Sequence, residues 1–269
     1  MASRRIGNIR IFYSRKETAT ADLIADVCEK SLQLAGEDWG LDPPEDCRIY
    51  VMTSWLGFVF QSAPLKWRLM LAPTFPLWFP RMRSTWKYSA AWTQNYGSRI
   101  AIGIKPARLI EQSDRSIGVR MFVEETDTSL NVKHVTCHEL VHACSAHLWL
   151  PTWLNEGIGS VTVDRYLGKQ TIRDDTLQFI KDYLPKKEPP TYREMSSMSA
   201  KAIAYHGSRA YWLVRFLEEE FPGFLKEAFS EGMDSEEIVN EIAAELEIEP
   251  DNFWEEIDDI VADYFIGGE

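Results

Sequence analysis

Between Asp46 and Glu111 the sequence has no Asp or Glu at all, although nine Lys and Arg residues fall there. Histidine is scarce, with 5 in 269 residues, and the 4 cysteines form no CxxC pair. A chain of this length with a real core needs no disulfides, so the expectation is four reduced thiols in a cytoplasmic protein. Arg4 and Arg5 near the start have no apolar run behind them of the kind that reads as an export signal. The uncharged run 49–65 carries Thr53, Ser54, Gln61 and Ser62, too short and polar to span a bilayer. Internal repeats and low-complexity linkers are also missing, which excludes solenoids and flexible multidomain arrays.

What is present is ample material for a core: 45% hydrophobic and 12% aromatic residues, with 26% charged. The net charge of −12 is uneven. The last segment, 217–269, has nineteen acids against one lysine, whereas 47–110 is purely basic. An acidic total argues against general nucleic-acid binding, but the basic, tryptophan-rich stretch keeps docking on a membrane surface or an acidic partner open. The acidic tail reads as solvated helix faces over an inner stripe that includes Phe253, Ile257, Ile260 and Val261.

Periodicity predicts strands over 9–13, 48–53, 99–105 and 119–123, and a helix over 19–35. Pro64, Pro73, Pro76 and Pro80 forbid one long helix across 54–92. Helical patterns follow at 130–147, 174–184, 200–220, 222–230, 235–246 and 250–265. The expected class is α+β: an N-terminal lobe, 1–148, with a mixed sheet and the helix described next, and an all-helical C-terminal lobe, 149–269, with a cleft where they meet.

The chemistry lies at that junction. His138-Glu-Leu-Val-His142 is an HExxH pattern, and its chance occurrence in a chain this poor in histidine is roughly one in a hundred. On a helix, residues four apart share a face, so both imidazoles can reach one ion, while Glu139 sits beside that face and can serve a metal-bound water. Pro151 stops this helix, and Leu150-Pro-Thr-Trp-Leu-Asn-Glu-Gly157 follows. Glu156 can therefore return on an antiparallel helix as third ligand, with Gly157 allowing close approach to the first helix or the metal. The alternative for Glu156 is a solvated glutamate at a helix start. Cys137 and Cys144, seven apart, read as small apolar packing residues.

HELVH followed by WLNEG resembles the gluzincin metallopeptidases, the thermolysin and aminopeptidase N clan, and most closely its compact peptidase-MA-like bacterial and archaeal members. The segments Pro190-Thr-Tyr-Arg-Glu194 and 204–217 are similar to the helix that follows the site in those proteins, where a Tyr near the helix start faces the metal. The resemblance covers about residues 131–265. It implies a zincin-like fold, one Zn2+ per chain held by His138, His142 and Glu156, Glu139 as general base, and a peptide or protein substrate. No Gly-Ala-Met-Glu-Asn block is present, so aminopeptidase specificity does not carry over.

For the oxyanion donor the order of choice is Tyr205, Tyr211, then His206, each with the alternative of an aromatic on an amphipathic helix. His134, one turn before His138, is expected as a cap or supporting group, and Asp164 as an acid orienting the site's histidines. His147 reads as a helix-end residue. By resemblance and order, 99–105 is the edge strand on which an extended substrate would pair. Trp86, Trp92 and Tyr96 either line an apolar pocket or cover the sheet. The basic aromatic region is expected to form one wall of the cleft. A second reading is a metal-containing binding module that docks through 47–110, with nucleic acid the least favoured partner.

Overall fold

A computed structural model describes residues 1–267 except 72, 87, 88, 98 and 115–117; for 80–82, 84, 85, 113, 114, 118 and 119 only the backbone is described. The side chain of Pro80 therefore lies outside the described residues.

Five strands form one mixed sheet: β1 (Ala2–Ile6), β2 (Ile9–Tyr13), β3 (Cys47–Val51), β4 (Ala91–Asn95) and β5 (Ile100–Ile104), in the order β1-β2-β3-β5-β4. β2, β3 and β5 run parallel, and the outer strands β1 and β4 pair antiparallel to their neighbours. α1 (Thr18–Trp39) makes the crossover from β2 to β3. The predicted strand at 99–105 thus exists as β5, but it is an inner strand. The edge is β4, whose tight return through Tyr96 and Arg99, where Tyr96 N donates to Arg99 O at 2.9 Å, lays it antiparallel on β5. β5 reads Ile-Ala-Ile-Gly-Ile, and that alternation of large and small residues suits a strand covered on both faces. Ile102 and Ile104 meet Leu140 and Ala143 on one side, while Ala101 meets Tyr50, Phe58 and Tyr96 on the other.

Residues 55–86 form three short helices, α2 (Trp55–Ser62), α3 (Leu65–Leu71) and α4 (Phe75–Trp86), broken near Pro64 and Pro73, whereas Pro76 and Pro80 lie within α4. α5 (Ala107–Asp114) and α6 (Gly118–Met121) follow. The strand expected at 119–123 is not formed: α6 ends at Met121, and only Phe122 pairs, as an isolated bridge to Ile172.

Everything after this is helical: α7 (Thr128–Ser145), α8 (Thr152–Leu167), α9 (Asp175–Asp182), α10 (Tyr192–Met195), α11 (Ala200–Glu220), α12 (Phe224–Glu231), α13 (Ser235–Glu245) and α14 (Phe253–Gly267). The class is α+β. α7 lies on the sheet face, α8 packs between α7 and α11, and α1 touches α7, α8 and α12. The helical core gathers Leu154, Ile158, Tyr211, Trp212, Leu213 and Phe253 among many others, and it continues to α1 through Ala35 and Trp39. All four cysteines are buried free thiols, and burial pushes Cys28, Cys137 and Cys144 up to about 12, so they behave as inert packing groups. Among the described residues, no helix is long and apolar enough to cross a membrane.

Candidate metal centre

α7 begins at Asp127, whose carboxylate accepts from Ser129 N at 2.9 Å, and runs unbroken through the HExxH residues. The turn after Ser145 reverses the chain, and Pro151, with extended backbone, caps α8. Glu156 therefore sits just past the first turn of α8, facing back to α7. Glu156 Oε2 lies 3.2 Å from His138 Nε2, and Oε1 lies 3.5 Å from His142 Nε2. One ligand atom from each of the three residues falls within 4.8 Å of the other two, and among the described residues no other group of three or more metal-type side chains does so.

The surroundings fit a cation. Glu156 is held well below the usual carboxylate range: burial alone would raise it, but hydrogen bonds and charge from His138 and His142 outweigh that. Burial pulls His142 down, yet the hydrogen bond and charge of Glu156, with the charge of Glu139, leave it above its ordinary value. Two imidazole nitrogens and a carboxylate oxygen are a donor set suited to zinc, and three protein ligands leave a fourth position for water. Gly159 lies against the flat of the His138 ring: a Cβ there would stand 2.9 Å from both Cε1 and Nδ1, so only glycine lets α8 approach this closely. Gly157, expected to serve that purpose, faces the other way, where a Cβ would meet Val214 Cγ2 at 2.3 Å and Ala210 O at 2.5 Å on α11.

Glu139 is 9% exposed, and its Oε2 accepts from Thr93 Oγ1 at 2.5 Å. Thr93 belongs to β4, so the edge strand touches the proposed base directly. The cleft in which these groups meet has a volume of about 1270 Å³. Trp78, Trp92, Thr93, Gln94 and Asn95 line one side of it, so part of the acid-free region forms a wall, as expected. The wall is neutral and aromatic. Trp86 instead takes a cation–π contact from Lys105 Nζ, 4.1 Å from its ring, and Tyr96 is buried with its hydroxyl 3.2 Å from Ser62 Oγ.

The expected oxyanion donors lie elsewhere. Tyr205 is 1% exposed and donates to Asp258 Oδ2 at 2.7 Å, deep between α11 and α14, where the same carboxylate pairs with Arg209 at 2.6 Å. Tyr211 donates to Asp164 Oδ2 at 2.6 Å. Asp164 also accepts from the backbone N and hydroxyl of Thr171, so it fixes the turn after α8 and does not orient the site's histidines. His206 lines a small cavity behind Glu156, shared with Pro189, Pro190 and Arg209, and does not reach the cleft. The register explains these placements: α11 presents Tyr205 and Tyr211 to the core that joins it to its neighbours. His134 lines the cleft, its ring edge-on to Phe122 at 5.1 Å, but it is no cap, since Asp127 fills that role. His147 Nδ1 lies 2.9 Å from Cys144 O at the helix end, as read.

A different tyrosine, Tyr192, lines the cleft. It opens α10, where Thr191 and Glu194 form a reciprocal capping box. Tyr192 is 48% exposed overall, with its hydroxyl end enclosed at the cleft wall. Its hydroxyl accepts from Asn155 Nδ2 at 2.8 Å, and burial together with the charge of Glu156 raises its pKa well above that of a free phenol. Asn155 Oδ1 in turn accepts from Ser145 Oγ at 2.7 Å, so the Asn of WLNEG ties α7, α8 and Tyr192 together. The T-x-x-E signature at 191–194 was the signal that could have found this tyrosine; nothing in the local sequence marked Thr93.

No protein-family model, curated protein or solved structure matches the chain.

Proposed function

We propose that the protein is a zinc-dependent metallopeptidase of gluzincin type with a zincin-like fold. The observation that carries this reading is the convergence of His138, His142 and Glu156 from two helices, with Glu139 beside them at the base of a large cleft. Zinc held by these three residues would supply a Lewis acid and a water of lowered pKa. Glu139, its carboxylate steadied by Thr93, is the proton acceptor and later the donor to the leaving amine. The Tyr192 hydroxyl, kept protonated beside Glu156, is the donor that would turn from that carboxylate to a developing oxyanion. The outer edge of β4 has no strand partner among the described residues, and it borders the cleft, so an extended peptide can add to the sheet there.

The test is to compare the zinc-loaded wild type with Glu139→Gln on a mixed peptide library. Glu139→Gln is expected to keep its zinc and lose activity by about 100-fold or more. A wild type that cleaves no peptide, or a variant as active as wild type, would contradict the assignment.

A further inference from the structure

Exposed aliphatic side chains concentrate on two consecutive helices. Leu65, Leu69 and Met70 on α3 and Leu77 on α4 are 72%, 69%, 60% and 83% exposed. Single exposed leucines need no explanation, but four such side chains on two consecutive helices, between positions 65 and 77, do. The same helices are anchored from behind. Trp67 and Leu71 pack on the cluster around Tyr50, Phe58 and Tyr96, and Trp78 Nε1 donates to Leu71 O at 3.1 Å. α3 is thus apolar toward the sheet and apolar toward solvent.

The polar residues of this face carry one sign. Lys66, Arg68 and Arg83 are exposed, and no acidic residue occurs from 47 to 110 in a chain whose net charge is −12. Among the described residues, Arg68 hydrogen-bonds to the backbone carbonyls of Ala63 at 2.7 Å and Gln61 at 3.2 Å and to no carboxylate. Aliphatic side chains that project among unneutralised cations have the chemistry of an interfacial anchor on anionic lipid.

We propose that the α3–α4 face docks on an anionic bilayer surface, with Leu65, Leu69, Met70 and Leu77 entering the boundary between headgroups and acyl chains. Lys66, Arg68 and Arg83 then meet the headgroups. An acidic protein would satisfy the charge but has less use for the leucines, since protein interfaces draw their binding energy mainly from Trp, Tyr and Arg closed into pockets. The face is coupled to the cleft by a chain of rings: Trp78 lines the cleft and lies 5.3 Å from Trp55, which lies 6.3 Å from Trp92 on β4. Docking would bring this side of the cleft toward the bilayer. The inference does not rest on the metal.

Co-sedimentation of the full chain with vesicles tests it, using phosphatidylcholine alone and phosphatidylcholine with one-third phosphatidylserine. The chain is expected to pellet with the anionic vesicles and to be released by high salt. Lys66→Glu with Arg83→Glu should weaken binding at least tenfold, each basic residue at such a surface being worth about fivefold. Leu69→Ser with Met70→Ser and Leu77→Ser should weaken it about tenfold or more even at low salt. Both variants alter exposed side chains, so their circular dichroism should match wild type. The proposal fails if the wild type stays in the supernatant with both vesicle types, or if the aliphatic variant binds as well as wild type. It also fails if soluble polyglutamate is bound in preference to anionic vesicles.

Discussion

Tyr192 and Tyr205 are both tyrosines near the start of a helix, and their hydroxyls meet opposite fates. The Tyr205 hydroxyl is spent on Asp258 inside the core, in a network completed by Arg209, which also donates to Lys187 O at 2.6 Å and Trp254 O at 2.7 Å. The Tyr192 hydroxyl accepts from Asn155 and is hydrogen-bonded to Glu156 at the cleft, so its proton already points to the candidate metal centre. Tyr192→Phe is therefore expected to lower kcat about 100-fold with little change in KM, the cost of losing one oxyanion donor. Tyr205→Phe should leave any peptidase rate of the folded protein unchanged and lower its thermal midpoint. Steady-state kinetics on one peptide substrate, with melting curves for both variants, separates the two roles. Equal kcat in Tyr192→Phe and wild type would remove Tyr192 from the chemistry.

At the scale of elements, the site depends on how closely α8 can lie to α7 on one side and α11 on the other. Gly159 permits the first approach and Gly157 the second. Gly157→Ala places a methyl 2.3 Å from Val214 Cγ2 and 2.5 Å from a backbone carbonyl that cannot rotate away. The expected loss is about 1–3 kcal/mol, seen as a lower urea midpoint with the slope unchanged. Val214→Ala in the same chain relieves only the side-chain clash, so rescue should be partial. α11 contributes a second, pH-dependent effect through His206, which burial and then the Arg209 charge lower to about 4. The unfolded chain takes up a proton near pH 6.5 that the folded chain refuses until about 4, so this group's stability is full above 6.5 and is lost as pH falls. Wild type should lose roughly 1 kcal/mol per pH unit more than His206→Gln between about pH 6 and pH 4. Parallel losses in the two proteins would contradict the assignment.

The molecule as a whole shows which features a sequence can disclose. His138, Glu139, His142 and Glu156 were legible because the helical repeat and a proline-stopped turn fix their relation within nineteen residues of chain. The long helices α1, α7, α11 and α14 were legible for the same reason, to within a few residues at their ends, whereas α8 was expected only as the helix returning Glu156. β4 was not: Ala-Trp-Thr-Gln-Asn has no clear alternation, and its role as edge strand depends on pairing with β5. Tyr205, Tyr211 and Asp164 were misplaced because helix register alone does not say which neighbour covers a face; the answer came from the packing of α11 on α8, α9 and α14. The charge split, most conspicuous in composition, separates into two parts. Trp78, Trp92 and Thr93 from the acid-free stretch reach the cleft as neutral groups, while exposed Lys66, Arg68 and Arg83 lie on helices whose outer side chains are aliphatic.

The proposed chemistry requires His138, His142 and Glu156 to hold one zinc ion together. Metal analysis of the chain purified without chelator, beside His138→Ala and Glu156→Ala prepared in the same way, decides it. The expected result is about one zinc per wild-type chain and little or none in either variant, as removal of one of three protein ligands predicts. A wild type free of metal, or Glu156→Ala with the same zinc content as wild type, would contradict the assignment.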